Sequence, residues 1–569
     1  MSQPLDRLLA DNLDIWTSAT QRKSGAGRGG GKRISLYGIE RLRALILDLA
    51  VRGKLVPQDA GDEPASELLA RSAKAMNASV LLDRFRAPTK ILPTKASEAV
   101  PSNWVATRLG ALVRVINGRA YKKPELLTAG TPVLRVGNLF TSNDWYYSDL
   151  DLEDDKYIDD GDLIYAWSAS FGPFIWSGGR VIYHYHIWKL EPFSEADVSR
   201  EFLRLFLAHG TAAIKASGHG IAMLHMTKER MEQFPLPLPP LAEQRRIEAK
   251  VDALMALCDA LERESAGAMA AHQTLVEELL ATLVNSASPA DLAANWARLE
   301  THFDTLFTTE ASIDALKQTI LDLAVRGKLV EQDARDAAAN ELLESWRKAK
   351  GEALRSAGDR RIKPSVDAKS PPFPLPSHWA FQSFENVFLF IDYRGNTPPK
   401  TADGVPLITA KNIRMGHLDR EPREFVSEAT FVKWMTRGFP NVGDLFFTTE
   451  APLGNICQND IEEPFAIAQR VICFQPYGAA NTRFLMLAIM SRSMQRIIDD
   501  QATGMTAKGI KASKLKPLPL PIPPLAEQQR IVAKVDALMA LCDQLKSHLA
   551  DAAQTRCHLA DAITERAAA

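Results

Sequence analysis

Two stretches of the chain carry side chains suited to gripping a polyanion and reading the edges of its bases. In the first, Arg119, Tyr121, Lys122 and Lys123 fall in one turn-rich loop, Arg135 and Asn138 follow an apolar run, and His219, His225 and Lys228 come late. In the second, Arg394, Asn396, Thr397 and Lys400 form a comparable loop. Lys411, Asn412 and Arg414 then follow a predicted strand, and Thr506, Lys508, Lys511 and Lys514 come late. Arg and Lys hold phosphates, and Arg and Asn make paired hydrogen bonds to guanine and adenine edges. A charged loop is more often a solvated surface. Recurrence at matching points of two segments keeps both readings open.

Other chemistries find less support. Gly25 to Arg33, GAGRGGGKR, looks like a phosphate loop, but that motif needs Gly where Ala26 stands and Ser or Thr where Arg33 stands. It reads as a flexible linker. Asn396-Thr397-Pro398-Pro399 departs from the Asn-Pro-Pro-aromatic signature of amino-methyltransferases, because Thr397 interrupts it and Lys400 replaces the aromatic. No dinucleotide fingerprint, H-E-x-x-H or nucleophile elbow occurs. The pairs His184/His186 and His219/His225 lack carboxylates at helical spacing and read as packing or surface residues. No catalytic residue and no metal ligand is assigned. Cys258, Cys457, Cys473, Cys542 and Cys557 form no CxxC pair and read as reduced thiols of a cytoplasmic protein.

The elements that must position the basic clusters are marked by a repeat. LDLAVRGKLV occurs from Leu47 and again from Leu321, and AKVDALMALCD from Ala249 and again from Ala533. Each of the latter follows PPLAEQ, at Pro239 and Pro523. A period of roughly 280 residues is too long for a solenoid and marks duplication of a domain-sized unit. Between the copies only echoes remain: PSNW at 101 and PSHW at 376, PVLRVGNL and PLITAKNI, GDLI and GDLF. One fold carrying two different surfaces is the expectation. Apolar runs (VLRVGNLF, DLIYAWSA and GRVIYHYHIWKL; VPLITAKNI, GDLFFTT and RVICFQP) predict strands, with helices at EFLRLFLAHG and TRFLMLAIMSRSMQRII closing each set. The fold class is α+β, with two domains of mainly antiparallel sheet.

From Leu241 the spacing becomes helical. Ile247, Val251, Leu254, Cys258 and Leu261 form a 4-3-4-3 seam, repeated by Ile531, Val535, Leu538, Cys542, Leu545 and Leu549. Cys258 and Cys542 read as small buried hydrophobes. A helix over 241–284 would be roughly 65 Å long. Ile39–Ala50 and its copy Ile313–Ala324 are shorter amphipathic helices, the first stopped at Arg52-Gly53-Lys54. The economical arrangement pairs the two long helices as an antiparallel coiled coil between the domains, with an internal pseudo-twofold repeat.

Length and composition agree. A chain of 569 residues needs several cores, and 46% hydrophobic content is that of a folded protein. A net charge of −1 excludes a uniformly basic coat but not a local basic groove. No apolar run reaches membrane-spanning length, so no membrane partner is expected. A non-catalytic coiled-coil scaffold and a self-contained DNA methyltransferase remain the alternatives; the second lacks its motifs.

PLPPLAEQRRI and PIPPLAEQQRI, each closing a variable segment and opening a long helix, resemble the specificity subunits of type I restriction–modification systems. DNLDIWTSATQRKSGAGRGGGK and LYGIERLRALILDLAVRGKLVPQDAGDEPAS are similar to the type IB branch. The resemblance covers essentially the whole chain. It implies an N-terminal extension and arm (1–100), a target-recognition domain (101–238) and a central helical region (239–375, with helix 241–284 and the second arm 311–350). A second target-recognition domain (376–522) and a C-terminal helix (523–569) would follow. Each recognition domain would read one half of a bipartite, asymmetric target on double-stranded DNA. The helices would dock two modification subunits, and two restriction subunits would complete the assembly. S-adenosylmethionine, ATP and Mg2+ would then belong to those partners, with no cofactor bound by this chain.

Overall fold

The computed structural model describes residues 5–23, 33–81, 100–168, 170–216, 227–357, 368, 371–393, 397–504 and 508–569. The phosphate-loop-like run, apart from Arg33, lies outside them, as do His219, His225, Arg394, Asn396 and Thr506. The chain forms two units. The first comprises Met1–Ala268 with Ala552–Ala569, the second Met269–Asp551. Each long helix therefore starts in one unit and ends in the other.

Each unit repeats one plan. In the first, an antiparallel sheet runs in the order Val113–Asn117, Ile187–Pro192, Leu163–Ser168, Ser170–Ile175. In the second the order is Phe388–Asp392, Val471–Pro476, Leu445–Thr449, Leu453–Gln458. A smaller sheet accompanies each. Within it, Thr131–Leu134 runs parallel to Val181–Tyr183, and Val405–Ile408 runs parallel to Ala466–Ile467. The domains are therefore mixed and not wholly antiparallel. Entry and exit strands pair with each other, Val105–Arg108 with Pro235–Leu238 and Ala380–Ser383 with Pro519–Ile522. The proline-rich runs are tolerated because this ribbon has only two strands.

Three sequence expectations change. VLRVGNLF is not one strand: it ends at Leu134 and turns into the helix Val136–Phe140. GRVIYHYHIWKL is broken at His184–His186. The closing helix from Thr482 stops at Met490 and restarts at Arg492, because the Ser491 side chain accepts from the Met494 N–H and caps the second piece.

The long helices run Leu241–Val284 and Leu525–Ala568, and the short repeated ones Tyr37–Val51 and Glu310–Val325. Ile247, Val251, Leu254 and Cys258 are buried, and Leu261 is half-buried. In the second unit Ile531, Val535 and Cys542 enter one core with Leu280 and Leu283 of the first long helix and with Ile313, Leu316 and Ile320 of the short helix. Leu538, Leu545 and Leu549 pack on that core half-buried. The seam thus serves a helical bundle that includes the short repeat and packs on the sheet, which explains why seam and short repeat recur together. Burial pushes the Cys258 thiol up to about 11 and raises Cys542, keeping both protonated.

Polar clamps recur with the repeat. The Glu243 carboxylate is 1% exposed and accepts from Gln58 Nε2 at 2.6 Å and Trp104 Nε1 at 2.9 Å. Glu527, equally buried, accepts from Gln332 Nε2 at 2.6 Å and Trp379 Nε1 at 2.9 Å. An acidic residue in a first helical turn favours the helix dipole, but the fold turns this one inward to join three segments. The next residue repeats the device. Gln244 Oε1 accepts from the Ser199 N–H at 2.8 Å, and Gln528 Oε1 from the Asn481 N–H at 3.1 Å. Gly53 and Gly327 adopt φ of 68° and 66° beneath Trp104 and Trp379, where a Cβ would strike Pro101 and Pro376. Lys54 Nζ then donates to the carbonyls of Ala568 and Ala569 at the end of the second long helix. Its copy Lys328 donates to those of Val284 and Ser286 at the end of the first. A lysine there satisfies carbonyls that a helix end leaves without partners.

Replacing Glu243 with Gln leaves one acceptor for two donors and adds an amide facing them. The loss should be about 1–3 kcal/mol in the first unit, read as an earlier thermal transition; Glu527→Gln should do the same to the second. Unchanged transitions in both would show that the clamps contribute no stability.

Candidate nucleic-acid interface

In the first unit the predicted loop lies against the broken strand. The Arg119 N–H donates to the Tyr183 carbonyl at 3.0 Å, and the Tyr185 N–H donates to the Arg119 carbonyl at 3.1 Å. Gly118 allows this approach, because a Cβ there would lie 2.4 Å from the His184 oxygen. Arg119 forks onto Glu125 at 2.8 and 3.2 Å, holding that carboxyl below its usual range. Its guanidinium sits 5.4 Å from the centre of the Tyr121 ring. Tyr121 itself is pushed up to about 12 by burial, so it supports the loop from inside. Lys122 and Lys123 are exposed at the tip.

Arg135 lies 4.2 Å over the ring of Tyr146, an arrangement that holds a cation at an aromatic surface. Asn138 is a correction. Its oxygen accepts from the Arg135 N–H at 3.1 Å and its amide donates to the Asp144 carbonyl at 2.9 Å, so it closes a turn. Lys228 pairs with Glu232 at 3.6 Å, and Glu232 packs under Gly110 beside the entry ribbon. The strand Val113–Asn117 separates that point from Gly118 by about 17 Å. Lys228 is therefore not brought to the loop.

Four further side chains complete the surface: His184 and His186, which read in the sequence as packing or surface residues, and Trp167 and Tyr185, which it does not single out. Trp167 Nε1 donates to the Tyr185 carbonyl at 3.0 Å, and its ring meets His186 edge-on at 5.2 Å. Tyr185 is 40% exposed at the apex. His184 is lowered to about 4, first by burial, then by repulsion from His186 and Arg135. Cations, indole, phenol and imidazoles thus share one turn, the mixture that grips phosphates and stacks on bases.

The second unit differs in chemistry at the same topological place. Lys400 and Lys411 both reach Glu424, at 2.7 and 3.6 Å. Arg414 pairs with Asp419 at 3.2 Å and Lys508 with Asp499 at 2.6 Å; Lys511 and Lys514 are exposed around the short helix Ala512–Leu515. Asn412 is the second correction. It is 2% exposed, accepts from the Thr409 backbone and hydroxyl, and donates to the carbonyls of Asp419 and Pro422. Burial with every hydrogen-bonding site occupied removes it from base readout. Thr397 accepts from Gln469 Nε2 at 2.9 Å, which ties the predicted loop to the turn at Gln469–Arg470. Arg470 in turn faces Glu450 at 3.5 Å. Neither Glu450, Gln469 nor Arg470 stands out in the sequence; matching the two turns brings them into view.

Among the described residues no group of three or more His, Cys, Asp or Glu could hold a metal ion, and no helix is long and apolar enough to cross a membrane. All five cysteines are free.

The neutral His184 ring carries a pH signature. Its value lies below the ordinary 6.5, so its contribution to stability is whole above about pH 6.5 and is lost as pH falls toward about 4. His184→Gln should flatten the fall of the thermal midpoint across that window relative to wild type. Superimposable profiles would show that the ring is not held neutral.

The family described as type I restriction modification DNA specificity domain matches residues 101–266 and 400–554. The specificity subunit of the type I restriction enzyme EcoAI from Escherichia coli is 34% identical, with 99% of each chain covered. That of EcoEI, also from Escherichia coli, is 32% identical with the same coverage. Among solved structures, the HsdS subunit from Thermoanaerobacter tengcongensis aligns over 84% of this chain and 99% of its own, at 19% identity and a TM-score of 0.37. Two matched specificity domains and two full-length relatives above 30% identity place this chain in the family of type I restriction–modification specificity subunits.

Proposed function

We propose that this chain is the non-catalytic DNA-reading subunit of a type I restriction–modification complex. Each variable domain, 101–238 and 376–522, reads one half of a bipartite, asymmetric target on double-stranded DNA. The observation that carries this reading is one fold built twice, with identical clamps and different chemistry at the equivalent turn. A repeated scaffold suits a repeated partner; unlike turns suit unlike half-sites. Arg119, Lys122, Lys123 and Arg135 in the first domain, with Lys400, Lys411, Arg414, Lys508, Lys511 and Lys514 in the second, supply phosphate grip. Tyr185, Trp167 and Arg470 stand where base edges would come.

The arm (1–100), the central region (239–375) and the C-terminal helix (523–569) form the scaffold. In this reading the long helices pair as an antiparallel coiled coil with an internal twofold repeat. Three facts support it: the duplicated seams, the crossing of each helix from one unit into the other, and the reciprocal lysine caps. Two readers set about one DNA turn apart, ~34–36 Å, face the same side of the duplex. The outer helical faces dock two modification subunits, which hold S-adenosylmethionine and methylate adenine. Two restriction subunits supply ATP- and Mg2+-dependent translocation and cleavage. Near-neutral charge fits a division of labour in which partners share phosphate neutralisation.

Exchanging residues 101–238 for the corresponding domain of a relative should change one half of the methylated motif and leave the other intact, as read by mapping methyladenine across a host genome. An unchanged motif would remove the reading. Inserting whole heptads into the helix Leu241–Val284 should lengthen the unread spacer; a constant spacer would refute the coiled-coil ruler. Methylation by the purified chain alone with S-adenosylmethionine would establish a self-contained enzyme instead.

A further inference from the structure

We infer that Arg470 is a base-reading side chain of the second domain, directed at a guanine, and that Glu450 holds its guanidinium at the surface until the base replaces it. The inference rests on the DNA-reading function proposed above and assigns a residue and a base to it.

Backbone strain points to this site. Among the described residues only two other than glycine adopt positive φ, Ala451 at 49° and Arg470 at 77°. Side chains with a Cβ enter that region at a cost, and such outliers gather at functional sites. Both belong to one ion pair's surroundings: Arg470 is a member of it, and Ala451 follows its partner Glu450, whose carboxylate lies 3.5 Å from Arg470. The turn is over-determined by its neighbours. The Arg470 carbonyl accepts from the Thr449 N–H at 2.9 Å and from the Thr449 hydroxyl at 3.3 Å. Glu450 bridges to Gly509, where a Cβ would lie 3.3 Å from both Glu450 Cγ and the Thr449 oxygen. Gln469 ties the other side to Thr397. Three loops thus converge to hold one arginine in a conformation it would not choose alone.

The pair is built to exchange. Arg470 and Glu450 side chains are 48% and 38% exposed, and their contact is longer than those of Lys400 with Glu424 (2.7 Å) and Lys508 with Asp499 (2.6 Å). An exposed ion pair is weak. The guanine edge offers two acceptors, O6 and N7, in the spacing of the arginine fork. The equivalent turn of the first domain carries His184, Tyr185 and His186 at the same place in the strand order. At that place the two domains therefore offer a base different side chains.

The test uses the full chain with its modification subunits and a library of duplexes with randomised inserts. Wild type, Arg470→Gly and Arg470→Lys are compared by the motif each selects and by affinity for the wild-type duplex. Glycine relieves the strain, so Arg470→Gly should melt no earlier than wild type. It should bind the selected duplex at least about tenfold more weakly and lose preference at one guanine of one half-site. Arg470→Lys keeps the charge but not the fork and should lose the same preference. An earlier melting transition for Arg470→Gly, an unchanged motif in either variant, or weakening equal for all sequences would overturn the assignment. A wild-type complex that selects no motif would instead overturn the DNA-reading function itself.

Discussion

The structure depends on a buried carboxylate at the start of each long helix. Glu243 and Glu527 each accept from the turn after the short helix and from the tryptophan that opens the variable domain. Burial holds both carboxyls above the usual carboxylate range, and the two hydrogen bonds offset only part of that rise. The clamp therefore works against a desolvation cost that only correct placement of three segments offsets. The clamp thus ties arm, domain and long helix to one another. Arg246 with Asp62 and Arg530 with Asp336, each at 2.6 Å, brace the same joint from its rim.

A rigid joint frees the far end of the domain to vary. Entry and exit strands pair in a short ribbon beside the clamp, so everything between them is a closed excursion from the scaffold. The main sheet carries the chain to the turn at His184–His186 in one unit and at Gln469–Arg470 in the other. This separation suits a scaffold whose runs LDLAVRGKLV and AKVDALMALCD recur letter by letter while the turns differ.

The sequence showed the duplication, the long helices and their seams, because helical periodicity and identical runs are local signals. In the first unit Arg119 and Arg135, grouped by the sequence, lie near one turn with aromatic side chains; Arg394 and Asn396 of the second loop lie outside the described residues. The sequence misjudged Asn138 and Asn412, whose amides read as base contacts but close turns and meet only backbone and Thr409. An asparagine's partners depend on which carbonyls the chain brings within 3 Å, and spacing alone does not say. Lys228 failed for a similar reason, since one strand length separates it from the loop it was grouped with.

What the sequence determined by itself is the plan: two copies, two variable domains and amphipathic helices that need partners, all written in periodicities of a few residues. What only the tertiary structure decided is where chemistry gathers. Glu243 looks like an ordinary first-turn acid until Gln58 and Trp104, far away in the chain, close on it. Arg470 looks like any charge between strands until Thr449, Gly509 and Thr397 hold its turn. Burial and strain belong to neighbours brought together across the chain, and those neighbours exist only once it has folded.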